Sequence, residues 1–290
     1  LANSALRGNT TGDFNASVGK ASMMQNTTGD NNTAMGVNAL YGNTTGSNNI
    51  AIGYYALEDS STGTNNLALG YESLRLNTTA SNNAAIGYQA MYSNTTGANN
   101  FASGYQALYS NTTGSYNSGL GYEALENNTT GGSNTASGYQ AMFTNTTGNY
   151  NVSSGLKAMY SNTTGSNNAT SGYEAMYNNT TGDNNTASGY QALYTNTTSG
   201  NNSAFGYRSL YSLQGSSNHN SAFGESSMRS TTTGEFNTAA GAQSLYSNTT
   251  GHYNTSIGMN SLYSNTTADK NTAIGHSSLY SNTTGVNNVS

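Results

Sequence analysis

The chain has 290 residues with a net charge of −5, and it contains no Cys, Pro or Trp. A mildly acidic chain offers no basic patch to neutralise phosphates, so we expect no nucleic-acid partner. Without cysteine there are no disulfides and no thiolate metal sites, and no apolar run approaches the length of a membrane span. The sequence therefore predicts no membrane insertion and no cofactor, metal-ligating or catalytic residues.

A glycine recurs along almost the whole chain, as at Gly53, Gly70 and Gly87, at intervals of 17 residues. Only the interval from Gly206 to Gly224 is longer, at 18 residues. A composition rich in Asn, Gly, Ser and Thr is by itself typical of disorder. A disordered chain has no reason to keep this phase, so the period indicates a repeat fold. Counted from the glycine as position 1, the unit reads GYQALYSNTTGSNNTAI.

Such a unit is too short for a helix pair and fits one coil of a solenoid. Positions 14 to 17, as in Asn-Thr-Ala-Ile, predict a strand that ends at the glycine, where the chain turns a corner. Leu or Met at position 5 and small residues at positions 4 and 16 predict a narrow core. Asn-Thr-Thr-Gly at positions 8 to 11 predicts a turn in which a positive φ at the glycine is favourable but not obligatory.

We therefore predict an all-β fold, a parallel β-solenoid or β-roll of about seventeen 17-residue coils, in one repeat region over residues 1–290. At the strand spacing of a sheet, this stack would make a rod roughly 80 Å long. Residues 213–220 interrupt the pattern, and we interpret them as a bulged turn with one extra residue rather than a domain boundary. The chain is expected to be a segment of a longer fibre.

Asparagine occupies position 14 of every unit, which predicts a ladder of stacked carboxamides along the solenoid axis. Its members are Asn15, Asn32, Asn49, Asn66, Asn83, Asn100, Asn117, Asn134, Asn151, Asn168, Asn185, Asn202, Asn220, Asn237, Asn254, Asn271 and Asn288. Position 17 is apolar in many units but Ser in others, such as Ser154 and Ser171. A position inside the solenoid should not tolerate that change, so position 17 is a candidate interchain contact.

Tyrosines at positions 2 and 6 predict two stripes on the outer surface, which either stabilise the stack or bind a partner. The candidate binding residues are Tyr54, Tyr71, Tyr88, Tyr105, Tyr122 and Tyr139 at position 2, and Tyr92, Tyr109, Tyr160, Tyr177 and Tyr194 at position 6. Asn-Thr-Thr at position 8 is formally a glycosylation acceptor, with Asn94, Asn111, Asn128, Asn145 and Asn162 as candidates. The alternative interpretation is a turn whose Asn and Thr satisfy the backbone.

The string Asn-Thr-Ala-Ile-Gly-Tyr-Gln-Ala-Leu-Tyr-Ser-Asn-Thr-Thr-Gly resembles repeats of bacterial surface proteins and phage tail-fibre-like proteins. The Asn-x-Ala-Ile-Gly portion, as at residues 49–53 and 271–275, is also similar to the head repeats of trimeric autotransporter adhesins. The adhesin resemblance implies a left-handed parallel β-roll assembled as a homotrimer.

The sequence thus predicts a structural fibre, extracellular, at the cell surface or in a virion tail, that acts by reach, stiffness and surface or self-association rather than as an enzyme. Its expected partner is itself, as a homotrimer or an end-to-end filament, with surface polysaccharide as a second candidate. Alternatives are a carbohydrate-binding or tail-fibre receptor-binding shaft, and an ice-binding solenoid that uses the threonines. A polysaccharide-degrading solenoid would need a cluster of carboxylates or basic residues on one face, which the scattered charges do not provide.

Overall fold

The computed structural model describes residues 4–215 and 217–290. These residues form an all-β solenoid of parallel strands spaced one repeat apart, and they contain no helix. The predicted fold class is therefore confirmed. The chain divides into two compact units, of which the first ends at Thr147 and the second runs from Gly148 to Ser290.

Each of the first sixteen coils contributes one strand of three residues. The first unit contains β1 Ala16–Val18, β2 Thr33–Met35, β3 Ile50–Ile52, β4 Leu67–Leu69, β5 Ala84–Ile86, β6 Phe101–Ser103, β7 Ser118–Leu120 and β8 Thr135–Ser137. The second unit contains β9 Val152–Ser154, β10 Ala169–Ser171, β11 Thr186–Ser188, β12 Ser203–Phe205, β13 Ser221–Phe223, β14 Thr238–Ala240, β15 Thr255–Ile257 and β16 Thr272–Ile274. Within each unit, consecutive strands pair in parallel.

The strands occupy positions 15 to 17, and their register places each residue beside its own equivalent, as Ile52 beside Leu69. In β3 the middle residue, Ala51, is buried, whereas Ile50 and Ile52 are exposed. The same alternation recurs from coil to coil, because successive side chains of a strand point to opposite faces. Position 16 therefore faces the interior, and positions 15 and 17 together form the outer face of the sheet.

The core is as narrow as the sequence predicts. Leu or Met at position 5, as in Leu57 and Met142, is fully buried, and so is alanine at positions 4 and 16, as in Ala56 and Ala51. Each large side chain is stacked between its copies in the adjacent coils. Backbone hydrogen bonds also join adjacent coils at positions 4 and 5, where the Leu108 nitrogen donates to the Ala124 oxygen of the next coil at 3.0 Å.

A second constraint explains why position 5 holds Leu or Met but never Ile or Val. Positions 3, 5 and 13 have positive φ angles, for example 50° at Gln106 and 54° at Leu108. This left-handed conformation is costly for any residue other than glycine and worst for β-branched side chains. None of the described residues with positive φ is Val, Ile or Thr, although the chain is rich in threonine.

Glycine has two different roles in the coil. At position 1 it adopts positive φ, 137° at Gly87, and a Cβ there would collide with the Gly104 carbonyl of the next coil. At position 11 the prediction of a favourable positive φ is wrong, since glycines such as Gly97 are not in that region. Glycine fits there because the next coil approaches closely, with the Gly114 carbonyl against the place of its Cβ.

The irregular unit at residues 213–220 interrupts the stacking of equivalent residues only locally. Leu213 stands at position 8 and is fully buried, and Gly215 turns the chain with a φ of 68°. The position-14 stack continues across the extra residue, because the Asn220 nitrogen donates to Asn202 Oδ1 at 3.0 Å. Ser216, inside the predicted bulge, lies outside the described residues.

We expect Leu108→Ile to destabilise the fold by about 1–3 kcal/mol, because it places a β-branched residue at positive φ with almost no change in volume. Leu108→Met is the matched control and should cost less than about 1.5 kcal/mol, since Met already occupies this position in neighbouring coils. Thermal unfolding of the two variants measures the difference. Equal midpoints would contradict a conformational cause.

Candidate functional site

The outer face of the sheet in the first unit is uncharged. From β1 to β5 it is also apolar except at Thr33, whereas serine or threonine interrupts it in β6 to β8. Val18, Met35, Ile52 and Leu120 at position 17 are 58%, 45%, 39% and 48% exposed. Position 15 adds further apolar side chains, such as Phe101. No charged residue occurs in any of the sixteen strands of the described chain. An exposed apolar surface that continues from coil to coil is a candidate contact site.

The corresponding face of the second unit is less continuous. Ser154, Ser171 and Ser188 replace the large residues at position 17 of β9 to β11. They line a shallow cavity of about 250 Å³ together with Val152 and Thr186. Position 17 is apolar again in β12 and β13, where the rings of Phe205 and Phe223 stack with centroids 5.2 Å apart.

Tyrosines at position 2 of the first unit form an unbroken column of six rings, which we call the Tyr54–Tyr139 column. Its members are Tyr54, Tyr71, Tyr88, Tyr105, Tyr122 and Tyr139. Consecutive centroids lie 5.3, 5.2, 5.1, 5.0 and 5.2 Å apart, and the ring planes differ by less than 10°. Each ring is about two-fifths exposed.

Position 6 carries shorter columns. Tyr92 and Tyr109 stack at 5.2 Å in the first unit. In the second unit a column joins Tyr160, Tyr177 and Tyr194 and continues to Tyr211. The faces of the stacked rings are turned towards each other, so the exposed parts are ring edges and hydroxyl groups. A sugar that stacks on an aromatic face would find few free faces here.

Position 8 forms a ladder of side-chain amides that the sequence does not reveal. Asn111 Nδ2 donates to Asn94 Oδ1 in the preceding coil at 2.8 Å and to the Gly114 carbonyl of its own coil at 2.9 Å. The bond to the preceding coil recurs from Asn128 to Asn111 and from Asn145 to Asn128. The sequence predicts stacked side-chain amides at position 14. In the structure the direct amide-to-amide hydrogen bonds of position 8, at 2.7–2.8 Å for these residues, form such a ladder.

The candidate glycosylation sites belong to this ladder. The side chains of Asn94, Asn111, Asn128, Asn145 and Asn162 are completely buried. Attachment of a sugar needs an accessible Nδ2 atom, and in Asn111 both hydrogens of that atom are used in the ladder. The structure therefore opposes glycosylation of these residues in the folded chain and favours the alternative interpretation as a structural turn.

The asparagines of position 14 are stacked through the backbone as well as through their amides. Asn100 nitrogen donates to Asn83 Oδ1 at 2.9 Å, and Asn100 Nδ2 donates to the Gly114 carbonyl at 2.8 Å. Direct amide bonds along this column are longer, as from Asn66 Nδ2 to Asn49 Oδ1 at 3.2 Å. Because Gly114 accepts from positions 8 and 14 alike, the two columns hold the turn between them.

Breaks in the position-8 ladder leave buried polar atoms without partners. Ser60 replaces Asn in one coil, and both its hydroxyl and Asn43 Oδ1 in the preceding coil lack a hydrogen bond. Leu213 replaces Asn in the irregular coil, and the hydroxyl of Thr231, in the next coil, is likewise unsatisfied. Each such atom costs about 1–3 kcal/mol, so the breaks are weak points of the stack.

Charged side chains are few, at 7% of the chain. Arg75 bridges Glu58 and Glu72 at 2.8 and 2.7 Å. Residues 4–215 and 217–290 contain no group of three or more metal-ligating side chains. In the same residues no helix is long and apolar enough to cross a membrane.

Glu126 lies in an environment that disfavours the charged form of its carboxyl group. It occupies position 6, where the adjacent coils carry Tyr109 and Phe143, and its Oε2 atom is buried without a hydrogen-bond partner. Burial, and then the nearby charge of Glu123, raise the pKa of the Glu126 carboxyl group. The charged form is therefore less favourable in the folded chain than in the unfolded chain.

No protein-family model matches the chain, and the search of curated proteins found no significant match. The resemblance to fibre and adhesin repeats remains a prediction from the repeat itself. Function is therefore argued from the surfaces described above.

We expect Ser60→Asn to stabilise the fold by about 1–3 kcal/mol, because the new amide would give Asn43 Oδ1 a donor and join two parts of the ladder. Ser60→Ala is the matched control, since it removes the unsatisfied hydroxyl but leaves Asn43 Oδ1 without a partner. Chemical denaturation gives the free energies of unfolding. Stabilisation by alanine equal to that by asparagine would count against the ladder.

We expect Glu126→Gln to stabilise the protein at neutral pH and to have little effect well below pH of about 4, near the unfolded pKa of Glu. A raised folded pKa means that the wild-type chain loses stability as the pH rises from the unfolded pKa through the folded pKa. The free energy of unfolding of both proteins, measured across this range, tests the sign.

Glu123→Gln serves as the control for this pH dependence. It removes the neighbouring charge and retains the burial, so it should reduce the pH-dependent difference without abolishing it, because burial is the larger cause. A wild-type stability that rises with pH relative to Glu126→Gln would overturn the assignment.

Proposed function

We propose that the chain is a structural extracellular fibre segment that associates with copies of itself through the outer face of its sheet. The observation that carries the proposal is the uncharged and mostly apolar row that positions 15 and 17 form in β1 to β5 of the first unit. An interface between copies of one chain is rich in apolar residues and poor in charge at its centre. Each coil adds up to two such side chains, so the buried area grows with the number of coils.

The thin core supports the same proposal. Each inner coil buries one large apolar side chain, the Leu or Met at position 5, together with small residues at positions 4 and 16. Burial of the sheet face against a second and a third copy supplies further apolar contacts, and the homotrimer that the adhesin resemblance implies is a closed arrangement of this kind.

The alternative binding functions have less support. Carbohydrate binding through the tyrosines would have to use ring edges and hydroxyls, because the ring faces are stacked on one another. An ice-binding surface would need regularly placed free threonines. Thr95 and its equivalents at position 9 donate their hydroxyls to the backbone of the next coil, so these hydroxyls are already engaged.

The test is the mass of the particle in solution. The wild-type chain, of 30.0 kDa, is expected to form a trimer, measured by light scattering after size-exclusion chromatography. The double variant Ile52→Glu, Leu69→Glu is expected to be monomeric, because each copy would bring two charges into the apolar contact.

The matched control is Thr62→Glu, Thr79→Glu, which adds the same charges at the exposed position 10 of the neighbouring turns. It should keep the wild-type mass. A monomeric wild-type chain at micromolar concentration, or an unchanged mass for the sheet-face variant, would refute self-association through this face. Filaments in electron micrographs that survive the sheet-face variant would instead indicate end-to-end stacking.

A further inference from the structure

The Tyr54–Tyr139 column places oxidisable phenol groups at regular close range along the surface. Rings such as Tyr88 and Tyr105 lie nearly parallel with centroids 5.1 Å apart. Both rings are partly exposed, at 42% and 41%, so an oxidant in solution can reach them and a ring has room to turn. The arrangement repeats without interruption over six coils.

The stacking places neighbouring phenol rings close enough to react with each other after oxidation. Coupling of two tyrosyl radicals forms a bond between ring carbons ortho to the hydroxyl groups, and it normally depends on a chance encounter. Here the partner ring is fixed a few ångströms away, which replaces the encounter by a small rotation. A tyrosine without a stacked neighbour has no such advantage.

One point of the column has a carboxylate beside it. Glu123 follows Tyr122 in the chain, and its carboxylate raises the pKa of the Tyr122 hydroxyl. The second unit has the same pairing of Tyr173 with Glu174, and there Tyr173 stacks on Tyr190 with centroids 5.1 Å apart.

We propose that the Tyr54–Tyr139 column is a site of oxidative modification, in which a one-electron oxidant couples tyrosines of adjacent coils into dityrosine within one chain. The oxidant, of the peroxidase–hydrogen peroxide class, removes one electron from each of two stacked phenols. Each phenol loses its hydroxyl proton to water. The two radicals then form one carbon–carbon bond.

The coupled rings recover their phenol form when the hydrogen on each joined carbon moves to the oxygen. The net change is the loss of two electrons and two protons for each cross-link, with one carbon–carbon bond formed and two carbon–hydrogen bonds broken. Each product bond joins residues 17 positions apart, and so ties one coil covalently to the next. The proposal concerns a single chain and does not depend on self-association.

The experiment compares two triple variants of the full chain that have the same composition. The alternating variant is Tyr54→Phe, Tyr88→Phe, Tyr122→Phe, which leaves no two adjacent phenols in the column. The block variant is Tyr54→Phe, Tyr71→Phe, Tyr88→Phe, which leaves Tyr105, Tyr122 and Tyr139 adjacent. Phenylalanine preserves the ring stack in both, and circular dichroism verifies that both are folded.

The wild-type chain and both variants are treated with peroxidase and hydrogen peroxide. The band of single-chain mass is isolated under denaturing conditions and digested with pepsin, and dityrosine peptides are identified by mass spectrometry. We expect column cross-links between residues one repeat apart in the wild-type chain and the block variant, and none above the untreated background in the alternating variant. The cross-linked chain should also unfold at a higher temperature.

Three results would overturn the proposal. The first is equal position-2 dityrosine in the alternating and block variants, which would show that adjacency has no effect. The second is dityrosine found only in bands of multiple-chain mass, which would assign the coupling to contacts between chains. The third is oxidation of the wild-type chain with no dityrosine in the position-2 peptides.

Discussion

The structure depends on one constraint, which is that every residue lies beside its own equivalent one strand spacing away. Parallel strands in register impose that spacing of about 4.8 Å on the whole coil, and not only on the strand. A side chain is therefore selected by whether it can stack on a copy of itself. Alanine, leucine, asparagine and tyrosine all satisfy this demand in different ways, whereas a buried like charge would not.

Asparagine satisfies it best in the interior, because an amide is donor and acceptor at once. In the position-8 ladder each amide donates to the coil before it and accepts from the coil after it, as Asn111 does between Asn94 and Asn128. Such a ladder is fully satisfied only while it is continuous. This explains why the unpaired buried atoms of Asn43, Ser60 and Thr231 occur where another residue interrupts it.

The same constraint gives the surface its character. A position that faces outward repeats its chemistry along the stack, so one apolar residue becomes an apolar row and one tyrosine becomes a column of rings. From β1 to β5 the row at positions 15 and 17 has one polar residue, Thr33, and no charged residue. Self-association and oxidative coupling are both proposed from this repetition, since a single Ile or Tyr would support neither.

The sequence by itself determined the period, the parallel β-solenoid, a strand that ends just before the glycine and the Leu or Met core, because all of these follow from which positions vary and which do not. The structure shortened the predicted strand from positions 14 to 17 to positions 15 to 17. Only the tertiary structure decided what a given invariant residue does. Asn at positions 8 and 14 looks alike in the sequence, yet Asn111 carries the amide ladder, whereas Asn100 also bonds through its backbone. Leu108 at positive φ was equally hidden. A repeat pattern records that a position is restricted, and the backbone conformation and the neighbouring coil supply the physical reason.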